Sequence, residues 1–409
     1  MTFLNNVLQK LNLDSISELL LLLILITIPL GFALNSISII LFSFYGIVLF
    51  FKKKNKIQIN ILEALFIIFF LWGLLSLFWT SNIENTFNGI IDFLPYLAIP
   101  IGYIFQKQYI NKTISILRLF SISVFVFSLY CIFLGSLNSY VSLDFSYLFY
   151  HKLSQNLSGL NAIYLSVLVS FSIGFFLTYK KSTFDLITLF TLSLFLVLLS
   201  SKLIIFLTLL FSSIYLIKKT IKKGFKKKYF YLIILGLVIL TISSKNIRKR
   251  IQIEVDKTKI AEILEKNEFG QIYLWTGTGL RVFQAKVFLE ILEEQENYFL
   301  GFGLDNSQKN LIDKYKQYNL YPGFYEYNYH NQYIQTASEL GFVGLIIILS
   351  IFFVLLKIGI NRKDFFLLYF AMLIVGVCVT ETFLWRQRGM VFFILTALLL
   401  YRKKKHYIY

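Results

Sequence analysis

The sequence predicts an all-α integral membrane protein with about 12 transmembrane helices and one large, partly helical extracytoplasmic loop between spans nine and ten. Three observations lead there. Hydrophobic residues fill 57% of the 409 positions and charged residues only 15%, where a soluble globular chain carries about 25% charged. Apolar runs long enough for a bilayer recur along the chain. Basic residues gather in alternate connections between those runs.

A helix needs about 20 apolar residues to cross a bilayer, within a range of about 17–25. Windows of that size place spans at 16–33, 35–51, 61–79, 86–105, 114–137, 160–179, 184–200, 202–217, 229–244, 338–357, 364–381 and 388–401. The stretch 184–217 is too long for one helix. It divides at Ser200-Ser201-Lys202, because a charge is costly at mid-bilayer and tolerable at a hairpin tip. With the N-terminus in the cytoplasm, the inside segments hold 24 Lys and Arg, among them Lys52, Lys53, Lys54 and Lys56, the run within 218–228, and Arg402, Lys403, Lys404 and Lys405. The short outside connections hold four: Lys152, Lys202, Arg386 and Arg388. Every inside segment between spans is basic, as the positive-inside rule requires. One miscounted span would invert every later loop, so the bias supports an even count and two cytoplasmic termini. The N-terminal apolar run is long and no small-residue cleavage site follows it, so no cleavable signal peptide is expected.

The chain thus divides into spans one to nine (1–244), the outside loop (245–337), and spans ten to twelve with a basic tail (338–409). The loop carries 12 Lys+Arg and 12 Asp+Glu and has the composition of a small soluble domain. Long loops cross membranes regardless of charge. A net charge of +18 would also suit a nucleic-acid binder, but the excess lies on the inside segments and signals topology. Cys131 and Cys378 sit in apolar stretches far apart and read as buried thiols. No Cys/His cluster has metal-ligand spacing.

Within the loop, 245–268 is expected to be helical in part, and Thr276-Gly277-Thr278-Gly279 reads as a turn. An amphipathic helix follows over 281–296, with Val282, Ala285, Leu289 and Leu292 as its apolar stripe. Arg281 then stands in the first turn, where a cation opposes the helix dipole. It is either a solvated arginine or a residue placed for another purpose. Gly301-Phe302-Gly303 reads as a turn, one of a kind that can also hold a phosphate. Asp305 or Asn306 caps a helix over 306–318. His330 stands shortly before span ten, among Tyr327, Tyr329 and Tyr333. An imidazole titrates near about 6.5 and can take a proton at neutral pH; an aromatic belt at the membrane surface is the structural alternative. Lys202, Arg386 and Arg388 mark the outer rim, with Glu381 nearby. They either snorkel to headgroups or join Arg281 around a diphosphate.

These residues carry a resemblance. His330-Asn331-Gln332-Tyr333-Ile334-Gln335, followed by Glu339-Leu340-Gly341-Phe342-Val343-Gly344-Leu345, is similar to the HNxYLQ…ELGxxGL signature of the O-antigen ligase and O-antigen polymerase superfamily of bacterial membrane glycosyltransferases. Tyr298-Phe299-Leu300-Gly301-Phe302-Gly303 resembles the family's PLLGxG turn, and Ser200-Ser201-Lys202 its hairpin SR motif, with Lys for the usual Arg. The likeness covers roughly 184–401; before that it rests on hydropathy and span count.

The resemblance implies an inverting glycosyltransferase of the inner membrane, working on its outer face without metal or cofactor. The donor would be an undecaprenyl-diphosphate-linked glycan. The acceptor would be lipid A–core for a ligase, or a second lipid-linked glycan for a polymerase. His330 would be the catalytic base. Arg281, then Lys202, Arg386 and Arg388, would hold the diphosphate, with Asn331 and Glu381 in support. Lys202 offers a point charge where an arginine would offer a fork. His151 is a reserve base, and His406, expected inside, is excluded. A flippase or exporter would instead need polar residues on a path through the bundle, and the spans carry few acids, chiefly Glu63 and Asp92. The topology is checked with a phosphatase reporter that works only outside the cytoplasm. Fused after residue 270 it is expected to be active, and after residue 223 inactive; the reverse pair overturns the orientation.

Overall fold

A computed structural model describes residues 13–53, 57–156, 159–179, 182–223 and 252–403, together with residues 9 and 11. Span nine, expected at 229–244, lies outside these residues, as do 245–251 of the outer loop and His406. The described residues are helical with no strand. In chain order the helices are α1 (Ile16–Thr27), α2 (Phe32–Lys53), α3 (Ile61–Leu75), α4 (Ile83–Phe93), α5 (Pro95–Gln106), α6 (Thr113–Ser142), α7 (Tyr150–Gln155), α8 (Ala162–Tyr179), α9 (Thr183–Leu198) and α10 (Lys202–Lys223). Residues 252–331, termed the outer domain for their expected position, form α11 (Ile260–Glu265), α12 (Gly277–Gln295) and α13 (Gln308–Gln317). Then come α14 (Gln332–Arg362), α15 (Phe365–Val377) and α16 (Gln387–Arg402).

Six stretches are long and apolar enough to cross a membrane: Phe32–Lys52, Ile61–Phe78, Ile83–Tyr109, Thr113–Ser142, Ala162–Tyr179 and Gln332–Arg362. Helices α1, α9 and α15 are apolar but shorter. The run expected as one span at 86–105 is two helices. Pro95 opens the second at its first position, where a missing N–H costs nothing. The break at Ser200-Ser201 falls where the sequence places it, and Ser200 turns the chain with φ 53°.

Polar residues in the apolar runs serve the helix ends. Asn60 and Glu63 close a capping box at the start of α3, and Ser182 and Asp185 close one on α9. The buried carboxylates are then neutralised across helices. Glu63 meets Lys107 at 2.8 Å, and Asp185 meets Arg118. An unpaired carboxylate there would be costly.

Two apolar cores result. One runs through the bundle, from Leu21 on α1 to Leu400 on α16. The other belongs to the outer loop and joins Ile263, Phe283, Val287, Ile291, Leu311, Tyr315 and Tyr329. Helix α12 begins four residues earlier than expected, because Thr276 caps it by accepting from the Gly279 N–H at 3.0 Å. Its buried face is therefore Leu280, Phe283, Gln284, Val287, Phe288 and Ile291. Leu289, expected in the stripe, is exposed. Ser307 precedes α13, and Asn306 does not cap it: its Nδ2 donates to Ser81 Oγ and Phe302 O, each at 2.9 Å.

Helix α14 starts six residues before the expected span and is interrupted at Gly341, whose φ of 65° and ψ of −171° no other residue adopts readily. The interruption frees carbonyls, and the 298–303 turn takes them up. Phe302 and Gly303 donate to Ser338 O and Glu339 O, each at 2.9 Å. Phe342 returns a bond to Tyr298 O at 2.9 Å, and Trp72 Nε1 donates to Leu340 O at 2.9 Å. The Glu339 carboxylate accepts from the Asp305 N–H at 2.8 Å and the Ser307 hydroxyl at 3.1 Å. The two glycine motifs are thus two halves of one joint. Gly341→Ala would put a Cβ 2.0 Å from Phe299 O, in a backbone region costing about 1–3 kcal/mol. The variant is expected to melt at a clearly lower temperature in detergent; an unchanged melting curve would overturn this account of the joint.

Candidate functional site

The joint brings the outer domain over the start of α14, and a cavity of 280 Å³ opens there. Its wall is drawn from four places in the chain: Phe32 at the start of α2, Asn161 and Tyr164 at the start of α8, His330 before α14, and Glu381 and Arg386 before α16 with Arg388 in its first turn.

Each side chain is held by local chemistry. Asn331 caps α14 by accepting from the N–H groups of Tyr333 and Ile334, at 2.9 and 3.1 Å. His330 precedes that cap at φ 45°, and its N–H donates to Asn328 Oδ1 at 3.0 Å. Asn328 Nδ2 donates to Thr382 Oγ1 at 2.9 Å. Gln332 ties the same two segments: its N–H donates to Cys378 O and its Oε1 accepts from Leu384 N, both at 2.8 Å. The 378–384 turn, and with it Glu381, is therefore fixed against the segment that carries His330.

Glu381 sits between the His330 imidazole and the Arg281 guanidinium. Its Oε2 lies 3.6 Å from His330 Nδ1, and its Oε1 lies 3.5 Å from Arg281 Nη2. The carboxylate side chain is 10% exposed and the imidazole 28%. His330 Nδ1 is buried and has no hydrogen-bond partner among the described residues, the carboxylate standing just beyond reach. A carboxylate facing Nδ1 leaves Nε2 as the nitrogen that can take a proton, and catalytic hydrogen bonds of this length commonly tighten on substrate binding.

Arg281 lies in the second turn of α12, since the helix starts at Gly277 rather than at Arg281. Its fork is occupied: Nε and Nη2 donate to Thr380 O at 3.0 and 2.7 Å, and Nη1 donates to Gly277 O at 2.8 Å. Lys202 reaches Glu254 Oε1 at 3.3 Å, while Glu254 Oε2 accepts from the Thr278 N–H at 3.1 Å. The hairpin tip is thereby tied to the start of α12. Neither Arg281 nor Lys202 is on the cavity wall; Arg386 and Arg388 are. The Arg388 guanidinium lies 4.5 Å over the Phe32 ring. Arg386 is exposed and has no carboxylate partner among the described residues. Burial and Asp92 push the Asp305 carboxyl above its ordinary value, and Arg386 pulls it partly back.

His151 does not reach the cavity. Its Nδ1 accepts from the Ala162 N–H at 3.4 Å, at the head of α8. Sequence reasoning passed over Asn328, Gln332 and Thr382, whose roles depend on contacts between distant segments. Asn161 and Tyr164 were missed too; Tyr164 donates to Thr382 O at 3.3 Å. The only signal in the sequence is that Asn328 and Gln332 flank His330.

Residues 156–349 match the family model described as O-antigen ligase. The match contains Lys202, Arg281 and His330 and ends before Glu381. No curated protein matches the chain.

The tie between the hairpin and α12 has a pH signature. Partial burial opposes ionisation of Glu254, but the Thr278 hydrogen bonds and the Lys202 charge outweigh it and hold the carboxyl below its ordinary value. A depressed carboxylate stabilises fully above its unfolded pKa and loses that stabilisation as pH falls through the folded one. Glu254→Gln is expected to cost about 1 kcal/mol or less at pH 7, and the difference from wild type should shrink on titration below the usual carboxylate range. A difference that stays constant down to acid pH would overturn the tie.

Proposed function

We propose that this chain, whose residues 156–349 match the O-antigen ligase family model, is a member of the O-antigen ligase and polymerase superfamily and moves a glycan from undecaprenyl diphosphate to lipid A–core on the periplasmic face of the inner membrane. In this reading it has 12 spans, both termini are cytoplasmic, and the 245–337 loop is periplasmic. The observation that carries the reading is the cavity itself. A histidine faces a carboxylate there, and two arginines share the wall with them.

The chemistry follows from the substrate. A sugar on a diphosphate already has a leaving group, so the protein must activate an acceptor hydroxyl and receive the departing charge. His330 Nε2 takes the proton from the hydroxyl as its oxygen attacks the anomeric carbon. The bond to the diphosphate oxygen breaks, with inversion at that carbon. Glu381 holds the ring by Nδ1 and stabilises the imidazolium. Arg386 and Arg388 receive the diphosphate, each with a fork suited to phosphate oxygens. Arg281 shares Glu381 with His330 and serves as a positioning residue. Lys202 acts through Glu254, and Asn331 through its cap. At 280 Å³ the cavity is near the lower end of ligand clefts, about 300 Å³. It suits the reacting headgroup, with the glycan and the lipid outside it.

His330→Ala is expected to lower transfer by roughly 10²- to 10⁴-fold, the usual worth of a general base, with the protein still in the membrane. Lys202→Arg is expected to keep activity and Lys202→Glu to lose it. Lipopolysaccharide gels of the deletion strain carrying each variant provide the readout. Loss of all capped species, with polymer left on the lipid carrier, supports the ligase. Core bearing a single repeat unit would instead make the chain a polymerase. Normal capping by His330→Ala would overturn the base.

A further inference from the structure

Helices α2, α14 and α16 all begin at the cavity that holds His330. All three also end together, at a second and larger cavity of 570 Å³. Phe32, His330 and Arg388 mark the first end; Phe50, Arg362 and Arg402 mark the second. Phe32 lines the first cavity and Phe50 the second, both on α2, so the cavities lie about 27 Å apart along its axis at ~1.5 Å per residue. The second cavity is on the opposite face of the bundle and has no part in the reaction proposed above.

Its wall has two characters. One side is apolar, with Phe50 and Phe105 stacked at 4.7 Å. The other carries Lys107, Arg362 and Arg402, and no carboxylate among the described residues lines it. The three cations are not equivalent. Lys107 is neutralised by Glu63. Arg362 donates through Nη1 to Tyr401 O and lies 5.7 Å over the Tyr401 ring. The Arg402 side chain meets the Tyr103 hydroxyl, while its Nη1 has no hydrogen-bond partner among the described residues. The carbonyl ends of α2, α5, α14 and α16 meet here and weaken the field for an anion. Arg362 answers part of that by bonding Tyr401 O. The wall thus presents the side chains of Arg362 and Arg402 without a facing carboxylate among the described residues, and phosphate oxygens are the acceptors a guanidinium fork suits.

We propose that this cavity binds the phosphate headgroup of an acidic phospholipid, held by Arg402 and Arg362 and seated against Phe50 and Phe105. A free phosphate would use the cations and leave the aromatic wall idle; a phospholipid uses both. Basic pockets between membrane helices recognise headgroups in this way.

The test uses the full-length protein in detergent, with native mass spectrometry and thermal melting. Phosphatidylglycerol is expected to be retained and to raise the melting temperature, and phosphatidylcholine to do neither. Arg402→Gln should lower phosphatidylglycerol retention about fivefold, the worth of one basic residue near an anionic headgroup, and Arg402→Lys should lose less. If Arg402→Gln does not fold, Arg362→Gln is expected to show the same selective loss. His330→Ala should retain the lipid like wild type, which separates this site from the one proposed for transfer. Equal retention of the two lipids, or unchanged retention by the arginine variants, would overturn the proposal. Inorganic phosphate protecting as well as phosphatidylglycerol would mark a free-anion site and overturn it too.

Discussion

The interruption of α14 at Gly341 is the constraint on which the rest depends. An unbroken helix there would satisfy its own carbonyls and offer the outer domain nothing to bind. The break exposes Ser338 O and Glu339 O, and the 298–303 turn fills it with backbone donors. Unpaired backbone groups near a bilayer are expensive, so the two segments must meet. Their meeting fixes where the outer domain sits. It also sets the N-terminal part of α14, and hence His330, at the edge of the bundle.

From that joint the site follows by short ties. Gln332 and Asn328 lock the turn after α15 against the segment before α14, and Glu381 arrives between His330 and Arg281. One carboxylate is shared by an imidazole and a guanidinium, at 3.6 and 3.5 Å. Arg281 is steadied by Thr380 O and Gly277 O, which couples the outer domain to the same turn. The cations left facing the cavity are those that follow α15, Arg386 and Arg388.

Charges inside the bundle have a different purpose. Glu63 and Asp185 cap helices and then pair with Lys107 and Arg118. Engaged twice, they are poorly suited to line a path for a moving substrate. This bears against a transporter and in favour of chemistry at the surface. The ends of α2, α14 and α16 sort other cations into two groups, one around each cavity.

Much of this was legible in the sequence. Apolar runs and turn residues are local properties, and they determined the helical class and the break at Ser200-Ser201. His330 and the glycine motifs stood out for the same reason, as short motifs with their own chemistry. Other features depended on partners far along the chain. Thr276 moved the start of α12, Pro95 opened a second helix within one span, and Asn331 proved to be a cap. Only the tertiary structure decided which cations face the cavity: Arg281 is drawn away by Thr380 O, a carbonyl 99 residues distant. Hydropathy and motif spacing describe what a segment prefers. They carry no information on which distant carbonyl will claim a side chain, because that follows from how the helices pack.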